Sequence, residues 1–314
     1  MALRDGSLES RNFATSSGTE WFVDVPADAT MCSISVVNCT TSSSQQMRIE
    51  MASGGTETAL SWRRYIVSDA SGRVDDFTSS TAPALTNSAS TTGHYANLTL
   101  YNLRTLAPVT GFGQMCMSNW QTRSMMFKSA ASHNQIRISA NGATINSGIV
   151  YVQFYERPNV VVSHDFSGGA LAEWDIEGLV LATDSAVVLS SYDLTVSTAT
   201  FVNARVSDDD VSYDEGASDY RRVFTNNTTD SASLGSTALM SQASQTGQGM
   251  CSLVLGLPVL TRTLISGNNF GISTSGEGVN TSTREIVRID SGLRVRSGAG
   301  TMNGGTGYAV KYAM

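Results

Sequence analysis

Lysine is nearly missing from this 314-residue chain: Lys128 and Lys311 are the only two, so almost all positive charge is arginine. Charge of either sign is scarce, at 15% of residues against roughly 25% in an ordinary soluble domain. A net charge of −7 argues against a nucleic-acid partner, which would need a basic stripe. No apolar run approaches the roughly 20 residues that cross a bilayer, so no membrane insertion is expected. The first residues, Met1 to Ser7, lack the apolar core of a secretory signal, and the expectation is a product of the cytosol. The four cysteines, Cys32, Cys39, Cys116 and Cys251, form no CxxC pair and have no histidine at ligand spacing. Buried free thiols are their expected state. Sustained 3.6-residue periodicity between helix caps is also lacking.

Serine, threonine, asparagine and glycine take the place of charge, and period-2 alternation dominates. Met31 to Val37, Gln135 to Ser139, Gly148 to Tyr155, Ala186 to Leu189, Thr200 to Val206 and Cys251 to Leu255 all read as half-buried or buried strands. Asn141-Gly142 predicts a type I′ hairpin turn, and Asn303-Gly304-Gly305 holds the corresponding place near the C-terminus. Many short strands joined by small polar residues predict an all-β protein of sandwich or barrel type.

Classes of residue also return at long range. Met47-Arg48-Ile49-Glu50 matches Ala204-Arg205-Val206-Ser207, and Ile136-Arg137-Ile138 matches Leu293-Arg294-Val295, both at an offset of 157 (205 − 48 and 294 − 137). Trp62-Arg63-Arg64 meets Tyr220-Arg221-Arg222, and Glu20-Trp21 meets Glu173-Trp174. A period of this size is that of a whole domain, far beyond a solenoid repeat. The expected organisation is an N-terminal arm over residues 1–17, a first β-sandwich over 18–157 and a second over 158–314, with the join near Arg157-Pro158. Residues 78–93 and 225–249 are expected to be long loops.

Several features are candidate sites. Asp208, Asp209, Asp210 and Asp214 form the one dense carboxylate cluster, whose oxygens suit Ca²⁺, although the spacing fits no EF-hand loop. A solvated acidic loop is the plainer reading. The pairs Arg63-Arg64 and Arg221-Arg222 are interface candidates, because arginine keeps its charge and binds carboxylates bidentately. His94, His133 and His164 do not recur between the halves, and Ser163-His164-Asp165 has no nucleophile-elbow context. Trp21, Trp62, Trp120 and Trp174 read as core or interface residues before sugar platforms. No catalytic set and no cofactor is nominated.

One ordered set of motifs resembles a known family. Ser17-Gly18-Thr19, Val25-Pro26, Ile34-Ser35-Val36, Thr40 to Ser44, Arg48-Ile49 and Gly93 are followed by Ile136-Arg137-Ile138, Asn141-Gly142, Gly148 to Val152 and Tyr155-Glu156. In this order they resemble the jelly-roll-like β-sandwich domains of tailed-bacteriophage virion proteins, found on tail fibres, tail tips and other surface parts. The resemblance covers most of the first half, and the second half through the internal match. It implies two tandem jelly-roll-like sandwiches in a non-enzymatic structural protein of the virion, assembled in the host cytoplasm. Its implied partners are other virion structural proteins, further copies of itself as a homo-oligomer, and a host surface glycan. A tail-associated fibre, knob or tip part is the first expectation. A capsid decoration protein clamping neighbouring capsomers is the alternative, favoured by the lack of a coiled-coil stem. A carbohydrate-binding adhesin is a further one.

Overall fold

Alternating small polar and apolar residues cannot bury a helical stripe but can bury one face of a strand. The computed structural model follows that rule: the described residues form strands, turns and bends, with no helix among them. It describes residues 5–57, 62–68, 73–79, 93–116, 120–127, 133–157, 159–177, 185–198, 200–207, 220–226, 230–235, 238–243, 248–257, 262–270, 278–284 and 292–313. The chain divides into two compact units, the first ending at Arg157 and the second beginning at Pro158.

The first unit runs β1 (Asp5–Asn12), β2 (Glu20–Asp24), β3 (Met31–Thr41), β4 (Arg48–Ser53), β5 (Thr56–Glu57), β6 (Trp62–Ser68), β7 (Arg73–Ser79), β8 (His94–Tyr101), β9 (Val109–Cys116), β10 (Trp120–Phe127), β11 (Gln135–Ser139) and β12 (Ile145–Tyr155). The second runs β13 (Asn159–Asp165), β14 (Glu173–Ile176), β15 (Ser185–Val196), β16 (Thr200–Ser207), β17 (Tyr220–Asn226), β18 (Asp230–Gly235), β19 (Ala238–Ala243), β20 (Gln248–Leu257), β21 (Arg262–Phe270), β22 (Gly278–Arg284), β23 (Gly292–Ser297) and β24 (Met302–Ala313). Each unit has one eight-stranded and one four-stranded sheet. The large sheets are ordered β1-β12-β3-β8-β9-β10-β6-β7 and β13-β24-β15-β20-β21-β22-β17-β18. The small ones are β2-β11-β4-β5 and β14-β23-β16-β19. One connection differs: the fourth small-sheet strand follows β4 directly in the first unit, but in the second it comes after the β17–β18 hairpin.

In the first unit the inward residues of both sheets meet in one core. Ile34, Val36, Leu98, Leu100, Val150 and Val152 come from the large sheet, and Val23, Ile49, Met51, Ile136 and Ile138 from the small one. That is a β-sandwich. Each such side chain contributes about 1.5–3 kcal/mol by leaving water. The second unit's described core is built alike, from Val187, Leu189 and Ala309 with Val202, Ala204, Leu293 and Val295.

Both units carry the same fault in the same ladder. Where β12 crosses β3, the register slips beside Asn38 (φ 52°) and Gly148 (φ 88°). Where β24 crosses β15, it slips beside Asp193 (φ 55°) and Gly305 (φ 80°). Asn, Asp and Gly are the residues that enter this left-handed region at least cost. A Cβ on Gly148 would also lie 2.5 Å from the backbone of Asn38 and Cys39. The carbonyl exposed at each bulge accepts a backbone N–H from a buried phenylalanine, Phe13 to Gly148 and Phe166 to Gly305, each at 2.9 Å.

Three local expectations are corrected. The stretch 1–17 is not an arm over its described part: β1 pairs along β12 from Asp5 to Asn12, and Phe13 is fully buried. An edge strand needs little apolar alternation, so the polar run hid it. Residues 225–249 are not a long loop, since they hold β18, β19 and the start of β20. Asn141-Gly142 does form a tight turn, with φ 50° and 86° and a 3.0 Å bond from Ala143 N–H to the Ala140 carbonyl. But β11 and β12 lie in different sheets, so the turn is a corner between layers and not a hairpin. Its counterpart is the turn at Gly298, Ala299 and Gly300, because Asn303 to Gly305 lie inside β24.

Candidate functional site

Glu20 begins β2, Arg137 is the centre of β11, and Glu50 sits in β4. Alternation sends Ile136 and Ile138 into the core and Arg137 to the opposite face of the small sheet. There Arg137 stands directly across from Phe22 on one side and Glu50 on the other. Its Nε donates to Glu20 Oε2 at 2.8 Å and its Nη2 lies 2.7 Å from the same oxygen. Its Nη1 lies 2.8 Å from Glu50 Oε2. The guanidinium also rests 5.8 Å from the Phe22 ring centroid. Glu50 is buried, with its side chain only 7% exposed, whereas that of Glu20 is 40% exposed. A buried carboxylate needs such a partner, because an unpaired charge there would cost several kcal/mol.

Around this group opens a polar cleft of about 310 Å³, lined by Thr19, Glu20, Arg48, Glu50, Arg137, Ser139, Asn141 and Gly142. Ser139 and Glu50 are its buried members, and Thr19, Asn141 and Gly142 its exposed ones. Arg11 fixes the approach to Glu20: it donates to the Ser16 carbonyl (3.3 and 3.2 Å) and to the Glu20 carbonyl (2.9 Å). Asn141 Nδ2 donates to Gln45 Oε1 at 2.9 Å and holds the corner turn over β4.

The second unit keeps the central arginine and changes its neighbours. Arg294 donates from Nε and Nη2 to the two oxygens of Asp175 at 2.5 and 2.8 Å, and its Nη1 lies 3.0 Å from Glu173 Oε2. Asp175 and Arg205 flank Arg294 where Phe22 and Glu50 flank Arg137. The ladders therefore set Glu50 against Arg205, an offset of 155 (205 − 50). The sequence match of Arg48 with Arg205 is two residues out of register. His164 in β13 replaces Arg11 as the tie on the connection, bonding the Gly169 carbonyl at 3.0 Å and packing 4.8 Å from Phe166.

The sequence-nominated residues fall elsewhere. Arg63 and Arg64 lie in β6, opposite Met126 and Met125 of β10. Arg221 and Arg222 lie in β17, the strand at the same place in the second large sheet. Only their backbone lies among the described features. Asp208, Asp209, Asp210 and Asp214 lie outside the described residues, as do 80–92 of the first expected loop. Among the described residues no group of three His, Cys, Asp or Glu could hold a metal ion. Ser163, His164 and Asp165 are consecutive in β13, so the imidazole projects to the face opposite the other two. They cannot act as a triad. Trp174 is a core residue and Trp21 packs on the first core.

His94 and His133 are buried, and neither ring nitrogen of either bonds to protein among the described residues. Burial holds both below the usual imidazole range, His133 at about 4 with Arg104 adding to the effect. Cys32 and Cys39 are free and buried, and burial pushes the Cys39 thiol up to about 12. Sequence reasoning missed the Glu20–Arg137–Glu50 group as a site. Its signal was present in the recurring Glu-Trp and apolar-Arg-apolar triplets, which look like scaffold until the register brings them together.

No protein-family model matches the chain, and no curated protein does. Among solved structures, the mouse laminin alpha1 chain domains LG4-5 are 9% identical, with 95% of this chain and 86% of that one covered and a TM-score of 0.22. A tail fiber protein from an E. coli phage is 6% identical, with 98% and 40% covered and a TM-score of 0.22. The STIV MCP is 8% identical, with 98% and 96% covered and a TM-score of 0.21. Likenesses this low carry no argument about function. No helix among the described residues is long and apolar enough to cross a membrane.

Proposed function

We propose that this protein is a non-enzymatic structural component of a tailed-bacteriophage virion, carried on the tail as a fibre, knob or tip part. The observation that carries the reading is the presence of two units with one large-sheet strand order and contrasting charge on equivalent faces. Such a chain offers two similar rigid bodies to two different neighbours. The ordered motifs resembling tailed-phage virion domains support the same class. Partner subunits would include other virion proteins and further copies of this chain, and a host surface glycan is the external ligand of the reading.

Capsid decoration is the second reading. Two bodies of one strand order with unlike surfaces also suit a clamp across neighbouring capsomers. Antibody against this chain, imaged on purified particles, tests both. Label on the tail is the expected result, and label on the shell selects the decoration role. Particles without label would remove the virion reading altogether.

A further inference from the structure

We propose that the cleft of the first unit's small sheet binds a neutral, polyhydroxylated ligand, a sugar ring whose hydroxyls donate to fixed oxygen atoms of Glu20, Ser139, Asn141 and Thr19. This deepens the host-contact part of the reading above and rests on it only for the source of the sugar.

The argument begins with what the cleft leaves open. Arg137 takes Glu20 through Oε2 alone, so Oε1 has no partner among the described residues while the carboxylate is held in place. Among those residues no hydrogen bond engages the Thr19 or Ser139 hydroxyl. Asn141 uses Nδ2 on Gln45, which leaves Oδ1 available. Four oxygen acceptors thus border one space of about 310 Å³, at the lower end of small-molecule sites and about right for a single sugar ring. Gly142 keeps the rim low, with nothing within 4 Å of where its Cβ would be. Hydroxyl-to-carboxylate hydrogen bonds are about twice as strong as neutral ones, and an acceptor already fixed by a salt bridge loses little freedom on binding.

Charge then selects the class. The lining holds two acids, Glu20 and Glu50, and two bases, Arg48 and Arg137, for a formal sum of zero. A bare cation would face two guanidiniums, and a phosphate or carboxylate would face two carboxylates. A neutral polyol meets neither conflict. Among its described residues the second unit has no equivalent acceptor set: Arg205 stands where Glu50 does, Arg296 where Ser139 does, and Asp175 chelates Arg294.

Saturation-transfer NMR on the full chain tests the idea with glucose, galactose, mannose, rhamnose and N-acetylglucosamine, each at ~10 mM. Sialic acid and glucosamine are the charged probes, and dextran, mannan and galactan the polymeric ones. The expected result is transfer from the protein to at least one neutral sugar, free or in its polymer. Thr19→Val with Asn141→Gly should weaken it about fivefold or more, while the urea midpoint moves by no more than the loss of the exposed Asn141–Gln45 hydrogen bond accounts for. Glu50→Gln should also weaken it, and the double variant keeps the test valid if Glu50→Gln does not fold. Silence from every neutral sugar, preference for a charged probe, or binding that ignores the double variant would each overturn the proposal. Particle labelling reports on the virion reading independently, so the two can fail separately.

Discussion

The two small sheets place an arginine at the same point with one acid in common beside it, Glu20 or Glu173, but set the second acid on opposite flanks. In the first unit Arg137 is held by a buried acid on β4, Glu50, with Phe22 on the other flank. In the second, Arg294 is chelated by a half-exposed acid on β14, Asp175, with Arg205 on the β16 flank. The connections into β2 and β14 show the same freedom, since Arg11 in one and His164 in the other tie down the same turn carbonyl. What the units share is backbone register and the apolar interior. Side-chain chemistry on the outer faces is free to vary, provided every charge finds a partner.

The sharpest way to break this comparison is to remove the shared arginine from each unit. Arg137→Met takes away the guanidinium that lies 2.8 Å from the buried Glu50 and should cost about 3–5 kcal/mol, read as a shift in urea unfolding. Arg294→Met leaves acids that water can reach and should cost about 1 kcal/mol or less. Equal costs would mean that the burial of Glu50 does not matter.

Acid should also separate the units, because His94 and His133 both lie in the first. The folded protein holds His133 neutral down to about pH 4, whereas an unfolded imidazole takes its proton near 6.5. The unfolded state therefore binds more protons in that window, and stability falls as pH drops from about 6.5 towards 4, then levels off. A gap of that width is worth on the order of 3 kcal/mol, and His94 adds in the same direction. Thermal unfolding followed from pH 7 to pH 4 should show the loss, and His133→Leu should flatten it. A wild-type profile without slope over that range would contradict the buried neutral state.

Arg205 is as buried as Glu50, so reversing its charge is not a surface change. Arg205→Glu, which puts an acid opposite Arg294, should cost about 3 kcal/mol or more, read as a shift in urea unfolding. A cost below about 1 kcal/mol would show that water reaches Arg205. Smallest in energy is thiol reactivity: with Cys39 pushed to about 12 and Cys32 fully buried, alkylation at pH 8 should leave both unmodified until urea unfolds the chain. Rapid labelling of either in the native state would argue against the first core as described.

Much of the fold was legible because strand burial writes itself in alternate residues. Met31 to Val37 and Gln135 to Ser139 became β3 and β11, and the core of the first sandwich draws on their inward positions. β1 was not legible, because an edge strand with one neighbour needs few apolar residues, and its anchor, Phe13, lies just past its end. The Asn141-Gly142 corner gave its backbone conformation but not its partners. A turn sequence encodes φ and ψ, not which sheet the next strand joins. The cleft left only a trace in the sequence, the recurring Glu-Trp and apolar-Arg-apolar triplets. Thr19, Glu20, Arg48, Glu50, Arg137 and Ser139 come from three segments that meet only when β2, β11 and β4 align.

By itself, then, the sequence determined the class of secondary structure, the apolar interior and the near-recurrence of its elements, since each depends on local periodicity and composition. Only the tertiary structure decided which charges face each other. Pairing across a sheet depends on register, and a slip of two residues keeps every side chain on its own face while changing every partner. That slip separates Arg48, which the sequence set beside Arg205, from Glu50, which the ladder puts there.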